Sequence, residues 1–562
     1  MKTSRSLAAF AITAVLILTA CTTARKDTPV PAPGSRWSGS PLVSTAYGAV
    51  LGHEDDADTF SWKGIPYAAP PAGNLRWRAP ENPVPWTGVL EAKKGGSLCS
   101  QPSPLGKNAV TGSEDCLFLN IWRPATEEEG LPVYVWIHGG GNSIGGSDIV
   151  PDYRGYNLAS RGKVVFVSIN YRLGPFGWFS HPSLRTGSPG DELNDSGNFG
   201  TLDIIQALEW IQENILSFGG DPNRVTIAGE SAGGFNVTSL LISPLARGLF
   251  HRAVSQSGGL RVSSREEGDK SAAEAVQRIL EADGLTGDTM SDEELAAYLR
   301  SKSDKEILAA YDGGFGGMLG IPNIFSDGTV IPASGYAVFT DGSYPSKVPL
   351  ILGSNADELR LFLTFSKEYR KTPDLFDLVS KIGSDNWKAE AVDAPAETLT
   401  SHPEQPPVFA YHFRWGTARD RDQSVMPGNW GFRLGATHSL DIPFFLGHDT
   451  FNGKLLGSLV YSRKNKPGRE DLSEAMMDYL ISFIHNGDPG VGRNREDLPR
   501  WQPWSNEPDG PKSLVFDADY EEAILFMTRE VYTTEGILAS YEGSVDPELF
   551  EEAKTRVITE EK

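Results

Sequence analysis

The chain has 562 residues, of which 39% are hydrophobic and 10% aromatic, and its formal net charge at pH 7 is −22. This length and composition suffice to bury a large core, in one oversized domain or two. The negative charge argues against binding to nucleic acid or to an anionic membrane surface through bulk electrostatics.

The N-terminal segment predicts export. Lys2 and Arg5 precede an apolar stretch at 7–18 that is too short to span a membrane with ordinary flanks. The sequence LTAC at 18–21 resembles the lipobox of bacterial lipoproteins, in which the cysteine is lipidated. We therefore expect residues 1–20 to be a signal peptide and Cys21 to carry the lipid. An ordinary cleaved signal ending near residue 20 is the alternative.

The lipobox resemblance also predicts where the protein resides. It implies an exported bacterial protein in the cell envelope, at the periplasm or the cell surface, that contacts a membrane only through its lipid. Residues 21–40 are rich in Thr, Pro, Ser and Gly, which predicts a lipidated N-terminus followed by a flexible tether. The folded body is expected over 41–562.

Export also bears on the two remaining cysteines. Cys99 and Cys116 would lie in an oxidising compartment, where they are free to form a disulfide. Such a bond would stabilise the fold by about 3 kcal/mol on the chain-entropy model.

Further along, strand-like and helical patterns alternate. Residues 131–137 and 163–169 have the composition of buried strands, and 202–216 has helical periodicity. More strands are predicted at 348–353 and 408–413. The alternation indicates an α/β fold with a mostly parallel sheet covered on both faces. Residues 270–312 are helical and charged, which suggests an insertion over the upper edge of the sheet.

The most informative stretch is a strand-like run at 224–230, then GESAGG at 229–234, then a helical pattern at 235–241. Strand, tight turn and helix around one serine are typical of a nucleophile elbow, with Ser231 as the nucleophile. A second G-x-S-x-G match surrounds Ser143. It lacks a strand directly before it and a helix directly after it.

A serine hydroxyl needs a base to accept its proton and a third group to orient that base. In folds with a nucleophile elbow, the acid and then the histidine follow the serine along the chain. Three downstream histidines are candidates: His402, His438 and His448.

Four motifs carry a resemblance to a known family: HGGG at 138–141, SEDCLFLN at 113–120, NYRLG at 170–174 and GESAGG at 229–234. Together they resemble the type-B carboxylesterases, which include the cholinesterases and bacterial para-nitrobenzyl esterases. The likeness runs from about residue 48 to about residue 516. It implies an α/β-hydrolase fold, in which helices and helical insertions flank a mostly parallel central sheet.

The resemblance also implies roles for single residues. The family's acid matches Glu358 in GSNADE at 353–358, with Asp357 as its neighbouring competitor. Leu359 departs from the glycine or alanine usual at the next position. The family's base matches His438 in the segment 435–444, whereas His402 and His448 are expected to be structural or exposed.

Further family positions support the reaction centre. Backbone N–H groups of Gly139, Gly140 and Ala232 are expected to form the oxyanion hole. Ser257 matches a serine that supports the acid and the base by hydrogen bonds. Arg76 and Glu114 match a structural ion pair.

These expectations define a serine carboxylesterase that hydrolyses neutral carboxylic esters through an acyl-enzyme, with a small-molecule ester as its partner. No metal or cofactor is expected, since no Cys and His cluster has zinc-ligand spacing. A specialised relative that cleaves an amide, carbamate, lactone or aromatic ester is an alternative, as is a non-catalytic adhesion protein of the same family. The sequence does not determine the oligomeric state.

The loop at 100–115 bears on substrate choice. Cholinesterases hold a quaternary ammonium over a tryptophan in the corresponding loop, because an aromatic face attracts a desolvated cation. Residues 100–115 contain no tryptophan or tyrosine. We therefore expect a neutral ester to be preferred over its choline counterpart.

Overall fold

The structure is a computed structural model that describes residues 31–560, except 33, 104–108, 287–289, 419–422 and 496. The predicted signal peptide and Cys21 lie outside the described residues. None of the helices in the described ranges is both long and apolar enough to cross a lipid bilayer.

The strands, numbered along the described chain, are β1 (Leu42–Ser44), β2 (Ala49–Leu51), β3 (His53–Asp55), β4 (Thr59–Pro66), β5 (Val89–Glu91), β6 (Gln101–Pro102), β7 (Val110–Thr111), β8 (Phe118–Pro124), β9 (Leu131–Ile137), β10 (Val165–Ile169), β11 (Gly220–Glu230), β12 (Arg252–Gln256), β13 (Leu350–Asn355), β14 (Val408–Phe413), β15 (Ser513–Ala518) and β16 (Ala523–Met527).

The helices are α1 (Tyr156–Gly162), α2 (Gly174–Gly177), α3 (Phe199–Asn214), α4 (Ala232–Ile242), α5 (Arg265–Ala282), α6 (Asp292–Ser301), α7 (Asp304–Leu308), α8 (Ala337–Asp341), α9 (Arg360–Thr364), α10 (Pro373–Lys388), α11 (Ala394–Thr400), α12 (Trp430–Arg433), α13 (Ile442–Leu446), α14 (Lys454–Val460), α15 (Lys466–Asn486), α16 (Thr534–Tyr541) and α17 (Pro547–Glu560).

Eleven of these strands form one sheet in the order β16-β15-β14-β13-β12-β11-β9-β10-β8-β4-β3. The run from β15 to β10 is parallel, and antiparallel strands extend both of its edges. The mostly parallel sheet predicted from the sequence is therefore confirmed. Because the carboxyl ends of parallel strands share one edge, the loops after β9, β11, β12 and β13 converge there.

Strand β9 shows why this sheet is covered on both faces. All seven of its residues are buried. Val133, Val135 and Ile137 join one hydrophobic cluster, and Tyr134 and Trp136 join another on the opposite face. Alternating side chains thus serve two cores, as expected for a strand with helices on both sides.

The folded body begins earlier than predicted. Trp37 falls within the predicted tether, yet it is only 4% exposed and its ring packs edge-on against Trp62 at a centroid distance of 5.9 Å. The guanidinium of Arg123 lies 3.9 Å from the ring centroid of Trp37. The boundary at residue 40 is therefore wrong, because burying this indole fixes the chain before β1.

The predicted insertion is helical. Helices α5, α6 and α7 each begin with a capping box, in which Ser264, Ser291 or Ser303 and a glutamate three residues later satisfy each other's backbone N–H. Arg76 ties the insertion to the body: its guanidinium pairs with Glu114 and donates to the carbonyl of Lys302 at 2.7 Å. The predicted Arg76–Glu114 ion pair is present.

The predicted disulfide is also present. Cys99 and Cys116 are bonded, and both are almost fully buried. The bond closes the loop that carries β6 and β7.

Candidate active site

The nucleophile elbow forms as predicted, with β11 ending at Glu230 and α4 beginning at Ala232. Ser231 between them has φ +57° and ψ −124°, a backbone conformation that costs about 1–3 kcal/mol in a non-glycine residue. A Cβ on Gly229 would lie 2.5 Å from the carbonyl carbon of Gly233, and one on Gly233 would lie 2.0 Å from the oxygen of Ile137. Glycine is therefore required on both sides of the serine.

The predicted acid and base are in direct contact. Oε2 of Glu358 lies 2.5 Å from Nδ1 of His438. The other carboxylate oxygen accepts hydrogen bonds from the Ser257 hydroxyl at 2.6 Å and from the Asn355 N–H at 2.7 Å. Glu358 is fully buried, so these bonds fix its carboxylate and, through it, the orientation of the imidazole.

The competing acid, Asp357, points elsewhere. Its carboxylate pairs with Arg360, at 2.6 Å from Nε, and accepts the N–H of Ala436 at 3.0 Å and the Thr417 hydroxyl at 2.9 Å. These bonds give Asp357 a structural role.

The competing candidates for base and nucleophile also have their side chains hydrogen-bonded to backbone carbonyls. Nε2 of His402 lies 2.6 Å from the carbonyl oxygen of Phe339, and Nε2 of His448 lies 2.8 Å from that of Arg154. Ser143 is buried, and its hydroxyl donates to the Gly141 carbonyl at 3.0 Å.

The glycine loop after β9 approaches the elbow closely. A Cβ on Gly139 would lie 2.7 Å from the Glu230 carbonyl oxygen and 3.1 Å from Cβ of Ser231. Gly140 has φ +107°, and a Cβ there would lie 2.2 Å from the oxygen of Ile144. Within the described ranges, no backbone hydrogen bond uses the N–H of Gly139, Gly140 or Ala232 as donor. These three groups can therefore serve a ligand oxygen beside Ser231.

A second carboxylate lies beside the predicted base, and the sequence did not single it out. Oε1 of Glu230 is 3.1 Å from Nε2 of His438 and accepts the Ser439 hydroxyl at 2.7 Å. Burial raises the pKa of Glu230 to about 7, although the imidazole opposes this rise. Burial lowers the pKa of His438, but the carboxylates of Glu230 and Glu358 outweigh it and raise the pKa to about 9.

A third carboxyl group, Asp441, joins the strand ends beneath the site. It accepts hydrogen bonds from the Tyr411 hydroxyl at 2.5 Å, from Gln256 at 3.0 Å and from Asn355 at 3.2 Å. Burial raises its pKa. The carbonyl of Gln256 accepts a hydrogen bond from the N–H of Ser231 at 2.9 Å, so Asp441 supports the backbone that holds both the predicted nucleophile and the predicted acid.

Comparison with known proteins identifies the family. A profile described as "Carboxylesterase family" matches residues 39–397 and 391–523. The chain is 35% identical over 492 residues to the para-nitrobenzyl esterase of Bacillus subtilis (strain 168), an alignment that covers 80% of this chain and 91% of that protein. The chain belongs to the carboxylesterase family.

Two other relatives agree with this assignment. The esterase is 41% identical over 321 residues to a fumonisin B1 esterase from Sphingopyxis macrogoltabida, which covers 57% of this chain and 56% of that protein. A solved structure of a PNB esterase superposes with a TM-score of 0.67 at 30% identity, covering 87% of this chain and 98% of that one. The esterase thus has the α/β-hydrolase fold and is a carboxylic ester hydrolase.

Two aromatic rings pack against the imidazole of the predicted base. The rings of Phe362 and Trp387 each have their centroids 5.1 Å from that of His438. The ring centroids of Phe315 and Phe362 lie 5.2 Å apart, and Phe315 is 40% exposed. Neither α9, which carries Phe362, nor α10, which carries Trp387, has a sequence pattern that points to the site, so tertiary structure was needed to find these rings.

Two other aromatic residues contact different rings, Trp178 that of Tyr171 and Phe179 that of Trp77. Trp178 and Phe179 are buried, and Phe179 stacks on Trp77 at 4.8 Å. In the described part of the esterase, His, Cys, Asp and Glu side chains form no cluster of three or more that could hold a metal ion.

Proposed function

We propose that this carboxylesterase hydrolyses neutral carboxylic esters through a covalent acyl-enzyme, with Ser231 as nucleophile, His438 as base and Glu358 as acid. The observation that carries the proposal is the chain of contacts from the Ser257 hydroxyl through Glu358 to Nδ1 of His438. The carboxylate holds the Nδ1–H tautomer, which leaves Nε2 able to accept a proton.

In the first half of the reaction, Nε2 of His438 takes the hydroxyl proton of Ser231 while Oγ bonds to the ester carbonyl carbon. The carbonyl oxygen becomes an oxyanion and accepts hydrogen bonds from the N–H groups of Gly139, Gly140 and Ala232. Each such donor typically contributes about 3 kcal/mol to stabilising the transition state. The C–O bond to the alcohol then breaks, and the imidazolium gives its proton to the departing oxygen.

In the second half, His438 takes a proton from water while the water oxygen bonds to the acyl carbon. The bond to Oγ of Ser231 breaks, Oγ regains a proton from the imidazolium, and the carboxylic acid leaves. Glu358 stabilises the imidazolium throughout.

Ester hydrolysis is favoured over the rival reactions by the names of two relatives, a para-nitrobenzyl esterase and a fumonisin B1 esterase. Amides, carbamates, lactones and aromatic esters would use the same machinery, so substrate panels must separate them. The purified chain should be assayed on p-nitrophenyl esters of rising acyl length beside matched anilides and carbamates. Faster turnover of an anilide than of its matched ester would overturn the proposal.

We also propose that the esterase is exported and anchored to a membrane of the cell envelope by a lipid on Cys21. Support comes from the N-terminal sequence and from the Cys99–Cys116 disulfide, since such bonds persist in oxidising compartments. Cys21→Ser should move the protein from the membrane fraction to the soluble fraction, and intact-mass analysis should find the lipid only on the unsubstituted chain. A membrane-extracted chain without lipid at Cys21 would contradict this.

A further inference from the structure

Helix α10 contacts the loop that carries the acid. A Cβ on Gly383 would lie only 2.1 Å from Cδ1 of Leu359, so the leucine side chain fills the space that this glycine leaves open. The Leu359 N–H also donates to the Ser384 hydroxyl at 3.2 Å. Leu359 directly follows Glu358 and is the residue that departs from the family pattern; Gly383 accommodates that departure.

One turn further along α10, Trp387 contacts the base. Residues 383 and 387 are four apart and therefore share a face of the helix. The indole ring is tilted by 45° against the His438 imidazole, and its N–H donates to the Gly258 carbonyl at 3.1 Å. Gly258 follows Ser257, the residue whose hydroxyl donates to Glu358. Trp387 thus contacts the proposed base directly. It also hydrogen-bonds to Gly258, the neighbour of the serine that donates to the proposed acid.

The C-terminal helices also pack against α10, and a Cβ on Gly383 would lie 3.8 Å from Cγ2 of Val557 on α17. Both α16 and α17 lie beyond residue 523, where the family profile ends. Buried side chains of α17 form one cluster with those of α10, and the members from these two helices include Phe550, Ala553, Val557, Phe376, Val379 and Ile382.

Polar contacts hold the end of α10 that bears Trp387. Lys388 is paired with Asp393 at 2.6 Å across a π-helical turn, Ala389–Asp393. Asp393 also accepts the Tyr532 N–H at 2.7 Å, and the Lys388 ammonium lies 4.3 Å from the Tyr532 ring centroid. The segment that leads into α16 therefore clamps the residue next to Trp387.

We propose that Trp387 is a positioning residue for His438 and that the C-terminal segment 528–560 holds it in place through α10. The proposal rests on the proposed role of His438 as base. An aromatic face against the imidazole restricts its orientation, and it attracts the imidazolium that forms when the serine proton is transferred. Misplacement of a catalytic group by about 1 Å can lower the rate by about 100-fold.

The first test compares Trp387→Leu with Trp387→Phe on a small p-nitrophenyl ester. For Trp387→Leu we expect kcat to fall about tenfold or more and KM to change by less than about threefold, because positioning acts on the transition state. Trp387→Phe keeps a ring and should restore part of kcat. The control is Trp86→Leu, since the Trp86 indole also donates to a backbone carbonyl, that of Ala49 on β2 at 3.0 Å.

The second test addresses the contacts of Tyr532 with Lys388 and Asp393. Tyr532→Ala removes the ring from Lys388 and should lower kcat in the same manner, by about threefold, whereas Ser540→Ala on α16 should not. Because both changes act through one contact, Tyr532→Ala should add little to the loss caused by Trp387→Leu. If the two reductions in kcat multiplied in the double variant, the two changes would act independently, which would overturn the role of the C-terminal segment.

Wild-type kcat in folded Trp387→Leu would overturn the proposal for Trp387. Thermal unfolding of each variant checks folding. Should Trp387→Leu not fold, unchanged kcat in both Trp387→Phe and Tyr532→Ala would overturn the proposal instead. Ser231→Ala is run beside them: activity retained there would refute the proposed catalytic mechanism, whereas loss there with unchanged Trp387 variants would refute only this inference.

Discussion

Nε2 of His438 lies 3.1 Å from Oε1 of Glu230, while its Nδ1 lies 2.5 Å from Glu358. The imidazole of this esterase is therefore flanked by two buried carboxylates. Both favour the charged form of the histidine, and they raise its pKa above the ordinary value in spite of burial. Since a base must be neutral to accept a proton, we expect Glu230, the residue before the proposed nucleophile, to affect the pH range of the reaction.

Glu230→Gln should move the acidic limb of the kcat/KM profile to lower pH. Removing the carboxylate lowers the pKa of His438, so the neutral imidazole persists at lower pH. The profile is measured on a neutral p-nitrophenyl ester whose own hydrolysis is subtracted. Glu404→Gln, at an exposed residue, is the control. An unmoved limb would mean that another group governs it.

Ser231→Ala should abolish ester hydrolysis, and mass spectrometry should find no acyl-enzyme. Ser143→Ala should keep substantial activity, because that hydroxyl is buried and bonded to the Gly141 carbonyl. An acylated Ser231→Ala protein would show that the nucleophile lies elsewhere.

Glu358→Gln and Asp357→Asn should separate activity from stability. The first should lower kcat strongly, because it removes the charge that orients and stabilises His438. The second should lower kcat far less but destabilise the fold by about 1–3 kcal/mol, since it weakens the buried pair with Arg360, whose guanidinium keeps its contact with Asp377. Steady-state kinetics and urea unfolding measure the two effects, and the reverse order in kcat would assign the acid to Asp357.

Replacing Cys99 and Cys116 together by serine should lower the free energy of unfolding by about 3 kcal/mol, as expected for a loop of this length. Urea unfolding checks this, with Cys21→Ser as a control that leaves the body unchanged. Two free thiols in the unfolded, unreduced body would be incompatible with the bond.

A neutral ester should surpass its choline counterpart in kcat/KM when both carry the same acyl group. Residues 100–115 supply no tryptophan or tyrosine, and Trp178 and Phe179 are buried. The overall negative charge does not replace a contact in the pocket, because salt screens it over about 8 Å. A tenfold preference for the choline ester would place a cation site on the wall formed by Phe315, Phe362 and Trp387.

The nucleophile elbow could be predicted from the sequence because its requirements are local. A strand, two glycines and a helix lie within 224–241, and a Cβ on Gly229 would conflict with Gly233 of the same segment, although the conflict at Gly233 is with Ile137 at the end of β9. The positions of Glu358 and His438, 80 residues apart, followed only from resemblance to a family, since no local pattern connects them. Alternating strands and helices were likewise sufficient to predict the parallel sheet.

Tertiary structure alone decided which side chains surround the proposed base, His438. Glu230 turns toward His438, and Trp387 reaches it from a helix held by C-terminal residues beyond the family profile. The Leu359 side chain fills the space left open by the missing side chain of Gly383. Trp37 belongs to the core because its indole packs against Trp62 and Arg123. Each of these contacts joins residues distant in the chain or depends on the direction of a side chain. Periodicity and spacing report which face of an element is buried, but not what that face meets.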